Sequence, residues 1–114
     1  MVSVFNNIDT EVDLNESLLN YWEDVLNSGL ITKDLLTFRE VSFQERYKWR
    51  MNLYGLFKCV LNIPRIYIYP NIRVNNITNY NFKGDIVRTM KGFYLIDPTF
   101  LESQYEKYLV RYKK

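Results

Sequence analysis

The stretch 79–97 sets the tightest limits on what this chain can fold into. It reads Asn-Tyr-Asn-Phe, then Lys83-Gly84, then Asp-Ile-Val-Arg-Thr-Met, then Lys91-Gly92, then Phe-Tyr-Leu-Ile-Asp. The same Lys-Gly pair brackets one strand's length of residues. A two-residue loop with Gly second suits a tight hairpin, because hairpin turns need positive φ and Gly supplies it at little cost. The pattern predicts a three-stranded antiparallel meander with Gly84 and Gly92 at positive φ. Successive residues then alternate between faces. One face carries Ile86, Met90, Phe93 and Leu95; the other carries Tyr80, Phe82, Val87, Tyr94 and Ile96. Neither face is plainly polar, so either both are covered or an aromatic face is left for a partner.

The remainder reads mostly as helix. Asp13-x-x-Glu16 resembles a capping box, and Leu14, Leu18, Trp22, Val25 and Leu26 follow at helical spacing, predicting a helix over 14–28 closed by Gly29. Residues 1–12 read as an arm or a short edge strand. Thr32 caps a short helix to Phe38. Ser42-x-x-Glu45 opens a helix over 43–61 whose stripe is Trp49, Leu53, Leu56, Phe57 and Val60, with Gly55 inside it as a point of close backbone approach. Pro64 ends that helix. Arg65-Ile66-Tyr67-Ile68-Tyr69 reads as a strand, Pro70-Asn71 as a turn and Ile72-Arg73-Val74 as a short returning strand. After the meander, Thr99-x-x-Glu102 opens a final helix over 100–113 with Leu101, Tyr105, Tyr108 and Tyr112 on one stripe. The expected fold is α+β: N-terminal helices, a central antiparallel β-meander and a C-terminal helix, in a single small domain over 1–114.

The chemistry is limited by what is missing. There is no His, and Cys59 stands alone. That removes the commonest general base and metal ligand, and with them zinc sites and His-paired nucleophiles. All four glycines are isolated, so no phosphate-cradling loop is present. Cys59 beside the apolar stripe reads as a buried thiol, and Glu102 and Glu106 as a solvated face. The expectation is therefore no enzyme, no cofactor and no metal. No apolar run approaches the ~20 residues of a membrane span, and the N-terminus lacks the features of a signal peptide. A cytoplasmic protein is expected. The chain has no Ala and is rich in Asn, Ile, Lys and Tyr, which points to an AT-rich gene of the kind common in phages and other viruses.

Charge is unevenly spread. Residues 1–45 carry nine acids and two bases, and residues 46–114 carry thirteen bases and four acids. Either the acidic part folds over the basic part, or the two surfaces join neighbouring copies or dock a charged partner. The bases also interleave with aromatics: Arg46, Tyr47, Lys48, Trp49 and Arg50, then Arg65, Tyr67, Tyr69 and Arg73, then the meander. The expected partner-binding set is Tyr80, Phe82 and Tyr94 as rings, with Lys83, Lys91 and Arg73 as cations. The leading expectation is a small non-catalytic protein-binding protein, virus- or phage-encoded, acting as an inhibitor of a host protein or as an assembly component. The alternative is a nucleic-acid-binding module that uses a basic, aromatic-rich sheet face.

Overall fold

Leu18, Tyr21, Trp22 and Val25 recur at three- and four-residue spacing, and in the computed structural model they form the buried stripe of α1, Glu16–Asn27. The structure describes residues 16–75 and 90–112. The arm 1–12, the cap Asp13, the first two strands of the meander with their Lys83-Gly84 loop, and Lys113-Lys114 lie outside the described residues, as does the side chain of Tyr112. Gly29 follows α1 at φ +82°, the left-handed closure expected of it. A 3₁₀ turn, Lys33–Leu35, leads into β1, Leu36–Glu40. Then come α2, Phe43–Lys48, α3, Leu53–Gly55, a π turn, Leu56–Val60, and α4, Arg65–Arg73. The strand β2, Gly92–Ile96, and the helix α5, Pro98–Tyr112, follow. The class is α+β, but the sheet among the described residues is a two-stranded antiparallel ribbon of β1 and β2.

The strand expected at 93–96 is present, but it pairs with β1: Leu36 faces Ile96, Phe38 faces Tyr94 and Glu40 faces Gly92. Thr32–Phe38 is accordingly not a helix; only the 3₁₀ turn survives before the chain extends to meet β2. Gly92 is not a turn residue either. It lies inside the strand without positive φ, and it is glycine because a Cβ there would collide with the Arg39 carbonyl and the Glu40 backbone.

The single helix expected over 43–61 is broken in the middle. Ser42 caps α2 as its capping box predicts, its side chain accepting from the Glu45 N–H at 3.2 Å. Asn52 then starts a second helix, its Oδ1 accepting from the Gly55 N–H at 2.9 Å. Asparagine competes with helical backbone in this way, which favours it at caps over interiors. Gly55 does permit a close approach, but by the Trp49 ring and the Asn52 side chain rather than by another backbone. Beyond the π turn, Asn62 takes φ +57° ahead of Pro64. The thiol expected to be buried, Cys59, is exposed together with Lys58, because the π turn directs Leu56 and Phe57 inward.

Residues 65–73 form α4, capped by Val74, instead of strand, turn and strand, with Pro70 inside the helix. The cap of α5 is Asp97 rather than Thr99: its Oδ1 accepts from the Thr99 N–H at 2.9 Å, with Pro98 at the first helical position.

Two apolar clusters result. The first holds Leu53, Leu56, Phe57, Leu61, Ile68, Ile72 and Phe93; the second joins the α1 stripe to Ile96, Leu101 and Tyr108. The ribbon divides them. Phe93 enters the first cluster with its ring 5.0 Å from that of Phe57, and Ile96 enters the second.

Candidate functional site

Three pairs of residues four apart, on α4 and the turn that follows it, carry three separate tasks. Ile68 and Ile72 are buried in the first cluster. Tyr69 and Arg73 reach α1, where Glu23 Oε2 accepts from the Tyr69 hydroxyl at 2.6 Å and from Arg73 Nε at 2.8 Å. Asn71 and Asn75 meet β2. Asn71 Oδ1 accepts from the Ile96 N–H at 2.7 Å, while its Nδ2 donates to the Tyr67 carbonyl at 2.9 Å. Asn75 matches Tyr94 in both directions: Oδ1 accepts from the Tyr94 N–H at 2.8 Å and Nδ2 donates to the Tyr94 carbonyl at 2.9 Å. Two amide side chains thus stand in for a neighbouring strand along the outer edge of β2.

With that edge held by α4 and Phe93 in the first cluster, the opposite face of the ribbon is covered by the second cluster at its Leu36–Ile96 end and left open beyond it. Phe38 and Tyr94 lie directly across from each other there, 45% and 49% exposed, with ring centroids 5.1 Å apart in an edge-to-face arrangement. They line a groove of about 670 Å³ together with Leu36, Val74, Asn75 and Met90, with Lys33 and Lys91 contributing cations. β1, the end of α4 and the entry to β2 build this groove, so its lining comes from three separate parts of the chain.

The expected partner-binding residues separate. Tyr94 and Lys91 line the groove. Tyr80, Phe82 and Lys83 lie outside the described residues. Arg73 does not line it; its guanidinium holds Glu23, one place where the acidic N-terminal part does fold onto the basic part. Phe38, Leu36 and Lys33 were not expected. The alternation Leu36, Phe38, Glu40 was the available signal for β1, obscured by the helix-like start at Thr32.

A second aromatic surface lies on α2. Phe43 and Tyr47 stack at 6.0 Å and are both about half exposed, and the Arg50 guanidinium lies 3.9 Å over the Tyr47 ring. Here the interleaved cations are spent on their own neighbours. Arg46 is buried and donates to the Val41 carbonyl, and Arg50 Nη1 donates to the Tyr47 carbonyl at 2.7 Å. Trp49, expected at the centre of a buried stripe, is only half-buried over Gly55.

The Glu23 cluster gives the fold a pH dependence. The Arg73 hydrogen bond holds the Glu23 carboxyl below its usual range, against the opposing effect of burial. Burial, followed by donation to Glu23, pushes the Tyr69 phenol up to about 12. A lowered carboxyl adds stability that is present above its unfolded value near 4.5 and lost as pH falls through the folded one. A raised phenol adds stability that is full below 10 and lost as pH rises toward about 12. Denaturant midpoints should therefore be flat near neutrality and fall on both sides. Glu23→Gln should cost about 1–2 kcal/mol at pH 7, after allowance for solvent screening, and shrink the acid limb. Tyr69→Phe should shrink the alkaline limb. Limbs unchanged in both variants would contradict this account.

Comparisons with protein-family models, curated proteins and solved structures find no match. Among the described residues, no helix is long and apolar enough to cross a membrane, and no group of three or more His, Cys, Asp or Glu could hold a metal ion.

Proposed function

We propose that this chain is a small non-catalytic docking protein that binds a protein partner in the groove on the outer face of the ribbon, as an inhibitor or as an assembly component. The half-exposed Phe38–Tyr94 pair carries this reading. Two rings already in contact lose little conformational freedom on binding, and rings in a partly enclosed pocket with cations nearby are the usual make-up of interface hot spots. Leu36, Val74 and Met90 supply an apolar lining, and Lys33 and Lys91 favour a partner segment bearing acidic residues.

A photo-crosslinking residue at Tyr94 tests this, with exposed Val110 on α5 as the control position. Position 94 should yield a discrete protein adduct that resists nuclease and is absent from position 110. With that partner purified, Phe38→Ala and Tyr94→Ala should each weaken binding roughly 30-fold, about 2 kcal/mol. Lys33→Ala and Lys91→Ala should act mainly on the association rate. Adducts abolished by nuclease, with affinity falling steeply and log-linearly with salt, would replace this reading with single-stranded nucleic-acid binding.

A further inference from the structure

We propose that β1 pairs with the β1 strand of a second copy of this chain, antiparallel and centred on Phe38, to form a four-stranded sheet. The hydrogen bonds that bracket the ribbon, Asp97 N–H to the Leu35 carbonyl and Val41 N–H to the Lys91 carbonyl, fix which backbone groups face inward. By the alternation of an antiparallel ladder, Leu36, Phe38 and Glu40 point their N–H and C=O groups away from β2. Apart from the Leu36 N–H, which donates to the Lys33 carbonyl, these outward groups meet no partner among the described residues, and Thr37 through Glu40 are all exposed. On β2 the Ile96 N–H and both backbone groups of Tyr94 are taken by Asn71 and Asn75. One edge of the ribbon is blocked at Tyr94 and Ile96, and the other is a template for a strand.

The sequence of β1 suits its own copy. Pairing about Phe38 sets Phe38 against Phe38, Thr37 against Arg39 and Leu36 against Glu40, with no like charges directly opposed. The Phe38 groups of the two copies bond reciprocally, and the Glu40 N–H of each copy donates to the Leu36 carbonyl of the other. Glu40 of one copy arrives at the Leu36 end of the other, where Lys33 lines the same groove. Two complementary charge contacts follow from the two-fold axis. The rings form one row across the new sheet: Tyr94, Phe38, Phe38, Tyr94. The pairing involves five residues a side, below the ~1,200 Å² of a stable interface, so the dimer is weak and concentration-dependent.

Sedimentation velocity on the full chain from about 10 µM to about 1 mM tests the proposal, since weak dimers fall in that range. A reversible monomer–dimer equilibrium is expected. Phe38→Pro removes an outward donor while leaving every β1–β2 hydrogen bond, and should eliminate the dimer. Lys33→Glu and Glu40→Lys, both at exposed positions, should each weaken association at least tenfold, and the double variant should restore it. A wild-type chain that stays monomeric at about 1 mM, a dimer indifferent to Phe38→Pro, or a double variant that fails to restore association would each overturn the proposal. The groove's affinity for a separate partner is read in a different assay, so the two readings stand or fall independently.

Discussion

Alanine at Gly92 is expected to cost about 3 kcal/mol and to lower the melting temperature by roughly 15 °C. The added Cβ would fall against the Arg39 carbonyl oxygen and the Glu40 backbone, and backbone atoms have no rotamer to which they can retreat. Relief requires parting β1 from β2 at the Glu40–Gly92 end of the ribbon. Phe93, the next residue, would then be pulled from its place against Phe57 in the first cluster. Asparagine distinguishes this cause from the turn that the Lys91-Gly92 pair suggests. Asn tolerates positive φ well, so a turn glycine would accept it. A glycine required for close approach would not, and Gly92→Asn should be at least as damaging as Gly92→Ala. Thermal melts of the two variants decide it: a mild Asn variant beside a severe Ala variant would restore the turn.

Removing the Asn71 side chain should cost about 2–4 kcal/mol, out of proportion to its size. Asn71 is 1% exposed, and its amide makes one bond to each of two elements. Asn71→Ala leaves the buried Ile96 N–H without its acceptor. Asn71→Asp keeps an acceptor for Ile96 but turns an oxygen toward the Tyr67 carbonyl, so it should rescue only where the carboxyl is protonated. Amide hydrogen exchange gives a local reading: Ile96 protection should fall further in Asn71→Ala than that of Val25 on α1. Asn75→Ala, at a more exposed position, should cost about 1 kcal/mol and expose the Tyr94 amide instead. Equal loss of protection throughout the chain would mean that Asn71 stabilises the fold only globally.

Much of the helical frame was legible because local signals and burial agreed. The α1 stripe, the Gly29 closure and the Ser42 capping box each depend on residues within one or two turns, and each is found in the structure. α4 was misread for a physical reason. Alternating Ile and Tyr at 66–69 suits a half-buried strand, and Pro70 looks like a turn. The deciding contacts are long-range: Glu23 lies 50 residues from Arg73, and Ile96 lies 25 from Asn71. The same residues read at a spacing of four give Tyr69/Arg73, Ile68/Ile72 and Asn71/Asn75, a helical pattern that propensity outweighed. β1 was missed because five residues give little alternation to read. Of the groove, Tyr94 on β2 and Lys91 just before it were legible as candidates. Phe38, Leu36 and Lys33 join them only through the β1–β2 pairing, which no local signal announced.

Asn71 of α4 and Asn75 of the turn after it also decide how far such a sheet can grow. A bare two-stranded ribbon has two templating edges, and repeated edge-to-edge addition has no natural end; that is the route to fibrils. Here the outer side of β2 offers an incoming strand little to bond, because Asn71 and Asn75 already occupy the Ile96 N–H and both backbone groups of Tyr94. Addition is confined to β1, and once two copies meet there, both remaining edges belong to β2 strands that are already capped. An assembly built through this ribbon halts at two chains, and it does so through side chains of a helix rather than through the charged or proline-bearing edges that more often keep strands from polymerising.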